Sequence, residues 1–178
     1  MGLLLIVMST VSAAVLGVEP GSGRLAFALP SSLHTVEGQA LGFSGKLDTD
    51  RLNGRLTVDP AALTTGLGPR DSRMAGYCLE TARYPTIELV VTRIEGAVAG
   101  LRSGAGAGTV TLSGTLTIRD VERPVAIPAT YAWEGDNLRM KGRHDMKWSD
   151  WNIPDPSTLL SKAGSELTVS FDVLARPS

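Results

Sequence analysis

The sequence TVTLSGTLTI, at residues 109–118, alternates hydroxyl or small residues with branched apolar residues almost without a break. Because side chains on a strand point to opposite faces with a period of two, the apolar residues share one face. The threonines share the other face, which can meet water. This pattern is typical of a strand in an antiparallel sheet that buries one face. We expect Leu112 and Leu116 to face inward and the threonines to form the outer surface.

Seven further segments carry strand signals, so the chain contains about eight strands joined by short turns. Glycines at positions 38, 42 and 45 interrupt the second of these segments, and glycine inside a strand marks a bulge or bend that curls a sheet. Such a count is typical of a sandwich or a closed barrel, and the fold is predicted to be all-β. The seven segments are residues 24–29, 34–47, 51–58, 87–94, 125–133, 138–146 and 166–174.

Helical periodicity is weak and appears twice in the chain. Residues 71–82 carry apolar residues at helical spacing until Pro85 stops the pattern, and residues 157–162 predict a single turn. Residues 102–108 are rich in glycine but lack the lysine and the following helix of a phosphate-binding loop. We therefore predict a flexible loop at that position.

Composition limits the domain count and the partners of the chain. Its 178 residues are enough for about one domain with a single core. The net charge is −1, lysine and arginine are scattered, and aromatic residues make up 5%. A basic patch and a platform for stacking bases are absent from this composition, so we predict no nucleic-acid partner.

The N-terminal segment resembles an export signal. Residues 2–18 carry no charged side chain, and the apolar run LLLIVM is followed by the small residues of VSAA at 11–14. We predict a signal peptide at residues 1–14, a mature domain at residues 19–178 and a periplasmic or secreted location. A short membrane anchor and a mis-assigned start are the alternatives.

Few residues carry catalytic or metal-binding chemistry, and each has a structural interpretation. Cys78 is the only cysteine, which excludes an intramolecular disulfide and favours a half-buried structural thiol. His34 and His144 lack further ligands at metal-binding spacing, so we expect hydrogen-bonded structural histidines and no metal site. Asp71 is predicted to cap the helix that follows, with Arg70 bonding to nearby carbonyls or to Asp71 itself.

Trp148 and Trp151 lie three residues apart in a proline-rich segment that we expect to be irregular. Two interpretations remain open. The indoles line or gate the mouth of a pocket, or they plug the end of a barrel with an indole N–H bonded to the backbone.

Four segments, taken in order, resemble the YceI-like family of periplasmic, lipocalin-like proteins. The resemblance covers essentially the whole mature chain. Five positions depart from the family pattern: Asp120 stands for a glycine, Leu89 and Val91 for frequent phenylalanines, and Trp151 with Asn152 for a tyrosine followed by a glycine. The four segments are SLHTVEG at 32–38, RDSRM at 70–74 with YPTI at 84–87, GTLTIRDVERPV at 114–125, and SDWNIPDPS at 149–157.

The resemblance implies an eight-stranded antiparallel lipocalin-like barrel with one or two short helices. It also implies that the lumen holds a long apolar lipid, such as a polyisoprenoid, an isoprenoid quinone or a fatty amide, for carriage or storage. The family brings no catalytic residue, so we predict a binding protein without cofactor and not an enzyme. Whether two barrels pair as a homodimer through an outer strand stays open.

Ten residues are candidates for ligand contact, nine from the apolar strand faces and one from the tryptophan segment. Strand parity identifies the face but does not say which members touch a ligand. A structural or interaction barrel with a filled interior is the alternative, followed by an enzyme that uses His34, Arg70 or Asp71. The ten candidates are Phe27, Leu29, Phe43, Leu56, Leu89, Leu112, Leu116, Ile127, Trp151 and Phe171.

Overall fold

The computed structural model describes residues 15–178, so the predicted signal peptide at residues 1–14 lies outside the described residues. Most of the described chain is β-structure, as the alternating apolar pattern predicts. The strands are β1 Val15–Val18, β2 Gly23–Leu29, β3 Val36–Ala40, β4 Phe43–Asp48, β5 Asn53–Val58, β6 Leu63–Thr64, β7 Ile87–Gly96, β8 Ala107–Ile118, β9 Val121–Glu134, β10 Asn137–Lys147 and β11 Glu166–Pro177.

These segments form the predicted closed barrel of eight antiparallel strands. The eleven segments make eight barrel strands because three of the strands consist of two consecutive segments each. These pairs of segments are β1 with β2, β3 with β4, and β5 with β6, and the two members of each pair lie end to end beside the same neighbouring strand. The short β1 closes the barrel by pairing with β4 on one side and with β11 on the other. It begins at Val15, ahead of residue 19, where the sequence placed the start of the domain.

The barrel wall has a gap between the first half of β9 and the end of β10. The ladder between these strands runs from the hairpin to the pair Ala129–Gly142 and stops there. Pro124 and Pro128 lie in the half of β9 that pairs only with β8, and proline cannot donate a ladder hydrogen bond. A 3₁₀ turn at Trp148–Trp151 packs against both strands and covers this gap.

The helical elements differ from the predicted ones. Helix α1 spans Gly68–Arg73 and continues into a π-helical turn at Met74–Cys78, so this helix starts and ends earlier than residues 71–82. Helix α2 spans Val98–Ser103 and replaces the first part of the loop predicted at 102–108. A further 3₁₀ turn occupies Pro60–Ala62. No helix within residues 15–178 has the length and apolar character needed to cross a membrane.

The helical turn predicted at residues 157–162 is absent. Thr158 N–H donates to the carbonyl of Ser161, and Ser161 N–H donates to the Thr158 hydroxyl at 3.1 Å. Asp155 accepts from the Ser157 N–H at 2.8 Å. Serine, threonine and aspartate side chains compete in this way with the helical hydrogen bonds of the backbone, and here they hold a non-helical turn.

One end of the barrel is tightly filled. Leu16 of β1, Leu101 of α2 and Leu138 of β10 are each 0% exposed, and Val110 of β8 is 2% exposed. We call this end, covered by α2 and the β9–β10 hairpin, the closed end. The opposite end, where β8 finishes at Ile118, is surrounded by residues 30–35, 65–86, 119–120 and 148–165, and we call it the mouth.

Candidate functional site

The strand registers show which side chains face the barrel interior. Directly paired residues in an antiparallel ladder share a face. The side chains of Leu56, Leu89 and Leu116, which pair across three neighbouring strands, therefore point to the same face of the sheet. The buried Leu112 and Ile127 form another inward pair on β8 and β9. All nine strand residues proposed from parity lie on this inner face, and the threonines of β8 lie on the outer face. Their contact with a ligand stays a prediction.

The inner face is only partly buried toward the mouth. Phe43, Leu112 and Ile127 are buried, whereas the other six of the nine keep part of their surface exposed. The neighbouring Leu167 and Val169 on β11, which the prediction did not include, are half-buried as well. We call this half-buried apolar surface the open half of the barrel; it comprises Phe27, Leu29, Leu56, Leu89, Leu116, Leu167, Val169 and Phe171.

Two phenylalanine rings in the open half lie over glycines of the next strand. A Cβ on Gly38 would lie 2.2 Å from Phe27 Cζ, and a Cβ on Gly142 would lie 2.4 Å from Phe171 Cζ. No side chain larger than hydrogen fits beneath either ring. The two glycines therefore let the rings lie flat along the wall instead of projecting across the interior.

His144 also faces the interior, because it shares a face with Leu138, Met140 and Met146 of the same strand, all of which are buried. Burial lowers the pKa of His144, and the charge of Asp145 opposes this shift. Contrary to the expectation of a hydrogen-bonded histidine, no hydrogen bond joins the His144 imidazole to any described residue. The alternation from Leu138 to Met146 was the signal for its inward position.

The tryptophan segment closes much of the mouth. Trp151 is buried, and its Nε1–H donates to the carbonyl of Leu116 at 3.0 Å. Trp148 Nε1–H donates to the carbonyl of Gly164 at 2.8 Å. These are the backbone bonds expected of a plug. The Trp151 ring nevertheless lies beside the open half, so its predicted ligand contact stays a prediction.

Three arginines fasten the segment that carries Trp151. Arg123 Nε–H donates to a backbone carbonyl at 2.9 Å and Arg73 to another at 3.0 Å, both within residues 150–157. Arg119 donates to a third carbonyl of the same segment and pairs with Glu80. The cover of the mouth is thus held mainly by hydrogen bonds, with Trp151 as its buried apolar contact.

Asp71 organises the loop before α1 instead of capping the helix. The helix begins at Gly68, so Asp71 already lies in its first turn. Its carboxylate accepts from Thr65 N–H at 2.8 Å and from the hydroxyls of Thr65 and Thr64, and these bonds lower its pKa. Arg70 donates to the Thr65 carbonyl at 3.2 Å, as predicted. Both groups are engaged in holding a loop.

The remaining candidates for chemistry lie apart from any cluster. Cys78 is buried, more fully than predicted, and burial raises the pKa of its thiol. His34 lies exposed in the loop after β2. Within residues 15–178, no group of three or more histidine, cysteine or acidic side chains is arranged to hold a metal ion.

Two grooves lie on the outer wall of the barrel. One of about 460 Å³ is bordered by Lys46, Asp48 and Arg55, and the other, of about 350 Å³, by charged residues that include Arg24 and Asp172. Three charged side chains border each groove beside apolar residues, Val90 at the first and Phe171 at the second among them. A long hydrocarbon bound in either groove would therefore lie against charges, whereas the inner face of the open half carries no charged side chain.

The fold and the inner face define a class of protein: a closed, eight-stranded antiparallel barrel with an apolar interior that is filled at one end and half-open at the other. A family model described as a YceI-like domain matches residues 17–175. The chain therefore belongs to the YceI-like family. This membership points to a binding protein rather than an enzyme.

Solved structures show the same fold. BcnA from Burkholderia cenocepacia is 20% identical with a TM-score of 0.74, over 88% of this chain and 98% of that one. A polyisoprenoid binding domain from Saccharophagus degradans, implicated in plant cell wall breakdown, is 16% identical with a TM-score of 0.77, over 93% and 99%. The Campylobacter jejuni YCEI protein is 17% identical with a TM-score of 0.63, over 80% and 85%. No curated protein sequence matches this chain.

Proposed function

We propose that this protein binds one long apolar lipid in its lumen and carries or stores that lipid in the periplasm. A polyisoprenoid chain, an isoprenoid quinone and a fatty amide are the candidate ligands. The observation that carries the proposal is the open half, an inward apolar surface that no protein side chain fully covers. A barrel of eight strands has room for packed side chains or for one slim ligand.

The energetics favour such a ligand without any ionic anchor. Each methylene removed from water contributes about 0.8 kcal/mol, so ten of them contribute roughly 8 kcal/mol, which corresponds to a dissociation constant near 1 μM before other costs. A filled interaction barrel, the alternative function, would instead bury its inner face as completely as Leu16, Leu101 and Leu138 are buried at the closed end. Leu89 and Leu116, facing inward yet half-buried, argue against it.

The mouth supports carriage as well as binding. Leu33 is 66% exposed, Leu160 is 84% exposed and Leu159 is fully exposed, all on loops at this end. The two loops are joined, since Ser32 N–H donates to the carbonyl of Lys162 at 2.8 Å. An apolar rim of this kind offers a lipid contact as it enters or leaves the lumen. The periplasmic location rests on the charge-free N-terminal segment and on the family.

Native mass spectrometry of the protein purified from its own host, with solvent extraction, tests the proposal. We expect one lipid for each barrel, and the same spectra report whether barrels pair. A matched pair of variants on β11 locates the site: Val169→Trp fills the open half, whereas Ser170→Trp points outward. Val169→Trp should lower lipid occupancy about tenfold, and Ser170→Trp should leave it unchanged. Wild-type protein that is purified without lipid, and that binds none when lipid is added, would contradict the lipid-binding function.

A further inference from the structure

The inward-facing positions of β1–β11 are almost entirely hydrocarbon or glycine. Hydrogen-bonding side chains occur at only four of them within the described strands. Such groups are costly in an apolar interior unless they find a partner, so each needs an explanation. The four are Arg123, Tyr131, Trp133 and His144.

Three of these four side chains have protein partners. At the closed end, Tyr131 O–H donates at 2.6 Å to the carbonyl of Ala97, just before α2, and Trp133 Nε1–H donates at 3.0 Å to that of Gly100, within α2. Arg123 lies exposed at the mouth and donates to a carbonyl of the tryptophan segment at 2.9 Å. The His144 imidazole alone forms no hydrogen bond with the described part of the chain.

His144 is placed where a bound lipid would pass. It pairs with Val169, and Val169 pairs with Phe27, so the imidazole belongs to a row of the open half. On β10, His144 lies just beyond Gly142, the last residue of this strand that pairs with β9. The imidazole is therefore half-buried beside the gap in the wall, facing the lumen.

The charged neighbours of His144 are engaged elsewhere. Asp145 and Arg143 point outward on the same strand; Asp145 accepts from the Thr168 hydroxyl at 2.5 Å, and Arg143 bonds to both of these residues. Burial lowers the pKa of His144, which keeps the imidazole neutral near pH 7. A neutral imidazole offers one donor and one acceptor.

We propose that His144 is the polar contact of the lumen and hydrogen-bonds a hydroxyl or carbonyl oxygen of an otherwise hydrocarbon ligand. The inference rests on the proposed function and deepens it, because it names the ligand class as neutral amphiphiles rather than pure hydrocarbons. An anionic headgroup fits this position poorly, since the neighbours of His144 in its row, Val169 and then Phe27, are hydrocarbon and no cation faces inward in that row.

The test uses a matched ligand pair, hexadecan-1-ol and hexadecane, delivered from ethanol to the full protein and measured by displacement of a fluorescent fatty probe. The wild type should prefer the alcohol about tenfold, the effect of one buried hydrogen bond. His144→Leu should bring the ratio near one while hexadecane binding is kept. His144→Gln should restore part of the preference, and the outward control Arg143→Leu should leave it intact.

Two outcomes would overturn the inference alone, and a third would overturn the proposed function with it. An unchanged alcohol preference in His144→Leu would show that another group binds the oxygen. A wild type that binds both ligands equally would show that no polar contact exists, while the proposed function would survive. A wild type that binds neither ligand would overturn the proposed function itself. Nitrogen-15 NMR of wild-type His144 gives an independent readout, because its ring shifts should move with the alcohol and not with hexadecane.

Discussion

The closed end and the open half of this barrel use the same kind of inward side chains but pack them differently. Leu16 and Leu138 at the closed end are completely buried, whereas Leu89 and Leu116 in the open half, on the same face of the same sheet, are half-buried. The closed end receives Leu101 from α2, which fills the space between the strands. The mouth receives Trp151, on a segment held mainly by hydrogen bonds to arginines. Because the inward side chains are of the same kind at both ends, the difference in packing lies in the segments that cover the two ends, α2 and the tryptophan segment.

The largest expected difference between the two regions is in stability. Leu138→Ala should lower the free energy of unfolding by about 3 kcal/mol, because it leaves a cavity in a filled site. Leu89→Ala in the open half should cost roughly 1 kcal/mol, since that side chain already borders open space. Urea unfolding of lipid-free protein measures both changes. Equal losses at the two positions would mean that the open half is packed as tightly as the closed end.

A smaller effect distinguishes the indole at the closed end from the indole at the mouth. Trp133 Nε1–H donates to the carbonyl of Gly100 at the closed end, and Trp151 Nε1–H donates to that of Leu116 at the mouth, each at 3.0 Å. Replacing either with Phe removes one hydrogen bond and should destabilise the fold by about 1 kcal/mol. Only Trp151→Phe should speed lipid exchange, measured by transfer of a fluorescent lipid from vesicles. Faster exchange in Trp133→Phe would mean that lipid enters the barrel at the closed end and not at the mouth.

The smallest effect concerns pH. Burial lowers the pKa of His144 from its ordinary value of 6.5, so protonation favours the unfolded chain. Stability is therefore present above pH 6.5 and is lost as the pH falls through the lower, folded-state pKa. His144→Leu should flatten the loss between about pH 7 and about pH 5, above the range in which aspartates titrate. Chemical denaturation of both proteins across this range measures the difference; parallel curves would mean that His144 is not desolvated.

The strand faces of the barrel were predictable from the sequence, whereas helix α2 was not. Alternation from Leu138 through Met146 places every side chain of β10 on the correct face, including the inward His144 that was expected to be hydrogen-bonded. Helix α2 was missed because a helix of six residues has too little local propensity to stand out. The burial of Leu101 stabilises it, and that contact comes from the rest of the fold.

The candidate site divides in the same way. Parity identified Phe27 and Phe171 as inward residues, but it carried no information on the glycines beneath their rings, which belong to neighbouring strands. Trp151 was open to two interpretations because its burial depends on Leu116, thirty-five positions away in the chain. Asp71 was taken for a helix cap because the start of α1 depends on a loop that its own carboxylate organises.

The sequence by itself determined the direction of each strand side chain, as in the alternating residues of β8, because the period of two is a property of the local backbone. It also determined that the inward set is hydrocarbon and glycine, broken by a few polar groups such as His144. Only the tertiary structure decided which end is filled and which stays half-open. That outcome depends on Leu101 and Trp151, whose burial depends on contacts between segments far apart in the chain.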